Sequence, residues 1–239
     1  MGRRAHMPPP GSRRRRPPIR AFVDLALAGS LSRTTALALD YLVEARSRVA
    51  VFADLFDGAQ RYIEDRWHVG YATSKDELRV SRAVEAALAA LPEPASRPIY
   101  EPPPEALLLT MRREEHDLGL RLVATALADE GWKVDVALRI ARESISAQVL
   151  RHRPDLVAIS ATFVAGTTRF DLAAIVADLR AAHVPVILGG SAFVRNPDLA
   201  QFVGADAVMG DARLAVRAAG RLAQVHQRRF GRHDIRKVS

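Results

Sequence analysis

The residues of this chain best suited to chemistry are Glu114-Glu115-His116-Asp117-Leu118-Gly119. They separate an apolar run, Ala106 to Met111, from a stretch carrying Leu118, Leu122, Val123, Ala126 and Leu127 at helical spacing. That order places His116 in a β-to-α loop, and in an open α/β sheet such loops line the crevice where ligands bind. Glu114 can accept a hydrogen bond from one ring nitrogen of His116 and leave the other free for a metal. Gly119 lets a bulky group approach the start of the helix. The expected chemistry is coordination of a borderline transition metal by neutral imidazole.

The elements that must hold this loop alternate along the second half of the chain. Apolar strands fall near 106–111, 133–137, 155–160, 184–188 and 206–209. Helical patterns fall near 117–130, 143–151, 170–182, 196–202 and 212–226. Near-continuous apolar strands suit a parallel sheet buried on both faces, so the expected fold is α/β: a doubly wound, Rossmann-like, five-stranded domain. Ser160-x-Thr162 and Gly189-Gly190 then end the third and fourth strands, beside His116. Residues 21–91 read instead as a helical bundle. Its apolar stripes are Leu37, Ala38, Tyr41, Leu42 and Ala45; Val49, Val51, Phe52, Leu55 and Phe56; and Val80, Val84, Ala87 and Leu88. A proline-rich segment over 92–105 forms a semi-rigid linker. The division is therefore a basic tail over 1–20, the bundle, the linker, an α/β domain over 106–225 and a basic tail over 226–239.

Composition narrows the function classes. At 49% hydrophobic residues the chain can bury a core, and with no cysteine it offers no disulfide, thiolate metal site or thiol nucleophile. There is no signal-peptide pattern and no apolar run long enough to span a bilayer, so a cytoplasmic protein without a membrane partner is expected. The net charge of +8 is concentrated at the ends. Residues 1–20 carry seven arginines and no acid, and 226–239 carry five Lys/Arg and one acid, which leaves the body between them at about −3. The body is thus no basic nucleic-acid surface, while the tails are either solvated or touch DNA or an acidic partner. No Gly-rich phosphate loop, paired acid/base carboxylates or nucleophile elbow is visible, and a non-enzymatic protein is expected.

Taken singly, Trp67 suits a core, His68 a turn, Glu77 a solvated helix start, Ser160 a strand cap and Gly189-Gly190 a tight turn. Taken together and in order, the downstream residues resemble the cobalamin-binding domain, whose signature is D-x-H-x-x-G, then S-x-L or S-x-T, then G-G. Gly204-Ala205-Asp206 resembles a fourth landmark. The resemblance implies that His116 is the lower axial ligand of cobalt. It also implies that Glu114, Asp117, Gly119, Ser160, Thr162, Gly189 and Gly190 line the cofactor site, the last four around its nucleotide base. Glu114 replaces the usual aspartate, and Val136 to Arg142 lacks the leucine-glycine and valine-proline pairs usual after the second strand.

Trp67-His68, with Glu77 ten residues after the tryptophan, resembles the W-x9-E-H motif of photoreceptor-type cobalamin regulators, with Leu78 in place of its final histidine. There a helical bundle caps the upper face of the corrin. The resemblance implies that Trp67 shields the upper ligand, Glu77 contacts it and His68 is a candidate upper axial ligand. Only about 20 residues precede the bundle, too few for a DNA-binding helix-turn-helix domain. The chain therefore resembles the cobalamin-binding antirepressors of purple photosynthetic bacteria (the AerR/PpaA type). This implies a light-responsive transcriptional regulator whose partner is a separate repressor of photopigment genes. DNA contact would be indirect or through the arginine-rich tails, and a monomer is preferred. The alternatives are a corrinoid methyl carrier of a methyltransferase system, and a heme-binding redox or oxygen sensor with the same fold. Hydroxo- or adenosylcobalamin is the expected cofactor, with heme the alternative.

Overall fold

In a computed structural model describing residues 16–94, 97, 100, 102–164 and 166–234, with side chains as far as Ala223, the apolar runs form one parallel sheet. The basic tails expected over 1–20 and 226–239 lie outside the described residues at 1–15 and 235–239, as do parts of the linker. The strands are β1 (Glu105–Met111), β2 (Lys133–Ile140), β3 (Leu156–Ser160), β4 (Val186–Gly189) and β5 (Ala207–Met209), in the order β2-β1-β3-β4-β5. All pairings are parallel, which requires a crossover between successive strands. The crossovers supply α6 (Leu118–Asp129), α7 (Arg142–His152), α8 (Thr168–Ala181), and the short α9 (Ser191–Val194) with α10 (Pro197–Val203). The expected five-stranded Rossmann-like fold is the one observed.

Alternation along the strands divides the core in two. Leu107, Leu109, Val157, Ile159, Val186 and Leu188 face Leu172, Ile175, Val176 and Leu179 of α8. Ala106, Leu108, Leu156, Ala158 and Ile187 face Leu120 and Leu127 of α6 and the alanines of α11 (Ala212–Asp234). The sheet is thus covered on both faces, the condition that lets its strands be apolar throughout.

β2 runs three residues beyond the expected strand, to Ile140, because it contains a bulge. Leu109 pairs with Ala137 but Met111 with Ile140, and Arg139 between them takes φ 55°. Its N–H donates to the Thr110 hydroxyl at 2.9 Å, which satisfies both groups inside the bulge. A non-glycine residue in this region costs roughly 1–2 kcal/mol. This is how the chain turns the corner of the second strand without the leucine-glycine pair of the family pattern.

The first half is the bundle: α1 (Ile19–Leu27), α2 (Leu31–Ala45), α3 (Arg48–Ala50), a π-helical segment (Val51–Phe56), α4 (Asp57–His68) and α5 (Ser74–Ala90). The wider π turn lets Val51, Phe52, Ala53, Leu55 and Phe56 all be buried, more than one α-helical face could present. α5 starts with a capping box between Thr73 and Asp76, which puts Glu77 in its first turn.

The bundle shares a core with the α/β half. Leu122 and Ala126 of α6 and Ala212 of α11 join Phe22, Phe52, Phe56 and Val80 in one apolar cluster. Helix α6 is therefore buried on two sides, against the sheet and against the bundle. Ion pairs border this seam: Arg48 with Asp129 at 2.7 Å and Arg213 with Asp54 at 2.7 Å. Asp57 of α4 accepts the N–H of Ala212, the first residue of α11, at 3.1 Å, so one domain caps a helix of the other.

Burial pushes the Asp57 carboxyl up to about 7, against the pull of the Ala212 N–H and of Arg61, with Asp211 and Asp54 adding to the rise. A carboxyl raised above its unfolded value stabilises the fold fully below about pH 4, and that contribution is lost as pH rises through about 7. Asp57→Asn keeps an acceptor for Ala212 and removes the titration. Thermal melts are expected to show wild type losing on the order of 4 kcal/mol between acid and alkaline buffers, relative to the variant. An unchanged pH slope in Asp57→Asn would refute this.

Candidate cofactor site

Because β2 and β3 lie on opposite sides of β1, chain direction reverses between β1 and β3. The loops after these strands open a crevice at their carboxyl ends. His116 lies in the β1–α6 loop, Thr162 in the β3–α8 loop, and Gly189-Gly190 at the end of β4. The sequence motifs, far apart along the chain, converge on one edge of the sheet.

Glu114 ties two of these loops together. Its carboxylate is 8% exposed, and one oxygen accepts the His116 N–H at 2.9 Å and meets the ring Nδ1 at 3.3 Å. The other accepts the Thr162 N–H at 2.6 Å. Burial works against the charge, but the bonds from the His116 ring, the Thr162 N–H and the His116 N–H hold the carboxyl below its usual range. The His116 imidazole is raised in turn, first by its bond to Glu114, with burial opposing and the charges of Glu77, Glu114 and Glu64 assisting. Nδ1 engaged by Glu114 leaves Nε2 as the nitrogen available to a metal. The longer side chain of glutamate still reaches both loops.

The glycines differ in what holds them. A Cβ on Gly190, at φ 95°, would lie 2.2 Å from the Ala161 carbonyl oxygen, so this turn needs glycine to pass the end of β3. The Ser191 hydroxyl donates to the Thr162 carbonyl at 3.2 Å and joins the two loops. A Cβ on Gly119 would meet nothing within 4 Å, so the start of α6 presents an open surface. Asp117 lies at the N-cap of α6, with the Arg139 guanidinium 3.6 Å from its carboxylate. Ser160 ends β3, paired with Gly189. Asp206, by contrast, accepts the Val186 N–H at the opposite end of β4, so the fourth landmark belongs to the sheet and not to the crevice.

The bundle closes over this edge. Glu77 reaches across the domain boundary to Nε2 of His116 at 3.3 Å. Trp67 and His68 end α4, with ring centroids 5.0 Å apart, and Trp67 is 44% exposed. His68 lies near Glu64 at 3.7 Å, and the Glu64 charge also acts on His116. Leu78 is half exposed beside Glu77. Sequence reasoning missed Glu64 and Arg195. The Arg195 guanidinium, just after the Gly189-Gly190 turn, lies 2.8 Å from Asp65 and 3.8 Å from Glu64. No sequence pattern signals a pair that far apart along the chain.

A helical cap on a doubly wound sheet, with an oriented imidazole at the switch point, defines a protein that holds a large metal-bearing cofactor between two domains. Residues 104–220 match the B12 binding domain family. This half of the chain is a B12-binding domain, and cobalamin is the protein's cofactor. No curated protein matches the chain. The monomethylamine corrinoid protein of Methanosarcina barkeri superposes with TM-score 0.64 at 16% identity, covering 83% of this chain and 95% of that one. A novel cobalamin-binding protein from Desulfitobacterium hafniense gives 0.46 at 21% identity, with 85% and 96% covered. The methanol:cobalamin methyltransferase complex MtaBC of M. barkeri gives 0.44 at 14%, with 86% and 79% covered. The residues present fit the cofactor: one imidazole nitrogen is held by Glu114, the other meets only the Glu77 carboxylate of the cap at 3.3 Å, and the surface over Gly119 is open. No helix among the described residues is long and apolar enough to cross a membrane.

Gly119→Ala is expected to leave the fold intact and to raise the melting temperature slightly, since alanine in a helix gains about 0.5–1 kcal/mol over glycine. Its methyl group enters the open surface, so cobalamin uptake measured by absorbance should fall. Gly190→Ala should instead lose on the order of 3 kcal/mol of stability. Equal behaviour of the two variants would contradict this account.

Proposed function

We propose that this protein is a light-responsive, non-catalytic transcriptional regulator in which cobalamin controls the grip on a partner repressor of photopigment genes. The supporting observation is that Glu77, Trp67 and His68 of the bundle are gathered at the same edge as His116. When bound, cobalamin would supply a cobalt that imidazole can hold and, in its alkyl forms, a bond that light can break.

The chain's own residues divide the work. Glu114 fixes the His116 ring and leaves Nε2 as its donor atom. His116 Nε2 would hold the cobalt, and to do so would have to exchange its 3.3 Å contact with Glu77 of α5. Trp67 offers a broad apolar face that excludes water from the upper side. His68, held near Glu64, would be the second imidazole able to hold the cobalt. Ligation by a cap histidine would shift the population between cap positions, and that shift is what the repressor senses. Contact with DNA is through the repressor or the arginine-rich tails.

Visible spectra of the full chain mixed with adenosyl-, hydroxo- and methylcobalamin or heme, in darkness and after light, test this. Stable cobalamin uptake should be lost in His116→Ala. His68→Ala should retain uptake and lose the light-dependent spectral change. Repressor affinity should change on illumination without turnover. Cycling between Co(I) and methyl-Co(III) with no response to light would overturn the regulator and support a methyl carrier.

A further inference from the structure

Outside the cofactor site, the solvent face of α8 and α10 carries an aromatic cluster. Phe170 and Phe202, from different helices, pack edge to face at 5.6 Å, yet they remain 54% and 50% exposed. The Arg169 guanidinium lies over both rings, 4.7 Å from the first centroid and 5.8 Å from the second. Phe163, in the loop entering α8, is 80% exposed. The nearby acid Asp171 is already engaged by Arg142 at 2.8 Å. Among the described residues, no carboxylate lies within ion-pair range of Arg169.

A single exposed phenylalanine is ordinary. Two packed on each other beneath an arginine match the composition of interface centres, where aromatics and arginine dominate. Covering these rings also removes water from the guanidinium, and a buried arginine needs a carboxylate. The occupant is thereby defined by charge as well as by shape. A polyanionic strand is the poorer fit, because Arg142 beside the patch is already paired with Asp171, which leaves Arg169 to meet one carboxylate.

We propose that Phe170, Phe202 and Arg169 form a docking surface for an acidic, apolar segment of a partner protein. Its carboxylate pairs with Arg169, and its apolar side chains cover the rings. This rests on the reading that the chain acts through a partner. The helix carrying the patch follows the β3–α8 loop, in which the Thr162 N–H is held by the same Glu114 carboxylate that orients His116.

The test uses the full chain loaded with hydroxocobalamin. The fluorescein-labelled probes are a short peptide alternating leucine and glutamate, its lysine-for-glutamate counterpart, and an oligothymidylate. The glutamate peptide is expected to bind saturably, and Phe202→Ala and Arg169→Glu should each weaken it about tenfold. Arg169→Glu should bind the lysine peptide better than wild type does, a gain that a misfolded variant cannot show. Equal binding of both peptides to wild type, or no saturable binding, would overturn the proposal. So would oligothymidylate binding that Arg169→Glu abolishes, or a dimer seen in sedimentation that Phe202→Ala dissolves. Spectra in darkness and light are read on the same samples. Peptide binding without any light response in wild type would defeat the light-regulator reading and leave the surface standing. The reverse pattern would defeat the surface alone.

Discussion

The carboxylate of Glu114 is the contact on which the cofactor site depends. One buried side chain receives the His116 N–H, the His116 ring and the Thr162 N–H. It therefore joins the β1 and β3 loops across the point where the sheet changes direction. A buried carboxylate is tolerated only when its oxygens are satisfied, and here each faces a donor. Without that anion the imidazole has no fixed orientation and the two loops have no shared anchor. The glycine turn after β4 joins the same frame, because Gly190 passes the backbone of Ala161 and Ser191 donates to Thr162. The replacement of aspartate by glutamate keeps this role, since what matters is the reach to two loops.

The bundle is attached to this frame in two different ways. Along α6 and α11 it shares a continuous apolar core, and the nearly buried Arg48–Asp129 pair borders that seam. At the mouth of the crevice the contacts are between partly exposed groups: Glu77 with His116, and Arg195 with Glu64 and Asp65. Burial of each large apolar side chain is worth roughly 1.5–3 kcal/mol, whereas an exposed ion pair is worth about 0–1. The seam is therefore the fixed side and the mouth the side that yields.

Much of the fold was legible in the sequence because parallel strands buried on both faces need uninterrupted apolar runs, and those runs are plain at 106–110 and 156–159. The meeting of Glu114 with His116 was legible from their spacing in a short loop. What escaped was whatever depends on contact between distant segments. The helical stripe of α6 announced one buried face, but Leu122 and Ala126 turn to the bundle while Leu120 and Leu127 turn to the sheet. The bulge at Arg139 escaped because left-handed backbone is expected at glycine, and the chain places an arginine there. The bond from Asp57 to Ala212 links residues more than 150 positions apart and follows no pattern.

The difference in strength between seam and mouth bears on what a cofactor can do here. A tenfold change in a two-state population needs only about 1.4 kcal/mol of differential interaction. The contacts at the mouth are of that order, and the seam costs far more to break. In the proposed regulator, exchanging Glu77 for another partner of His116 would therefore let the cap pivot about α6 and α11. A cofactor ligand placed anywhere along the seam would have to work against the shared core. Placed at His116, it meets the Glu77 carboxylate, which is only 22% exposed. The geometry thus puts the smallest energetic barrier to cap movement at the atom where the cofactor's metal would bind.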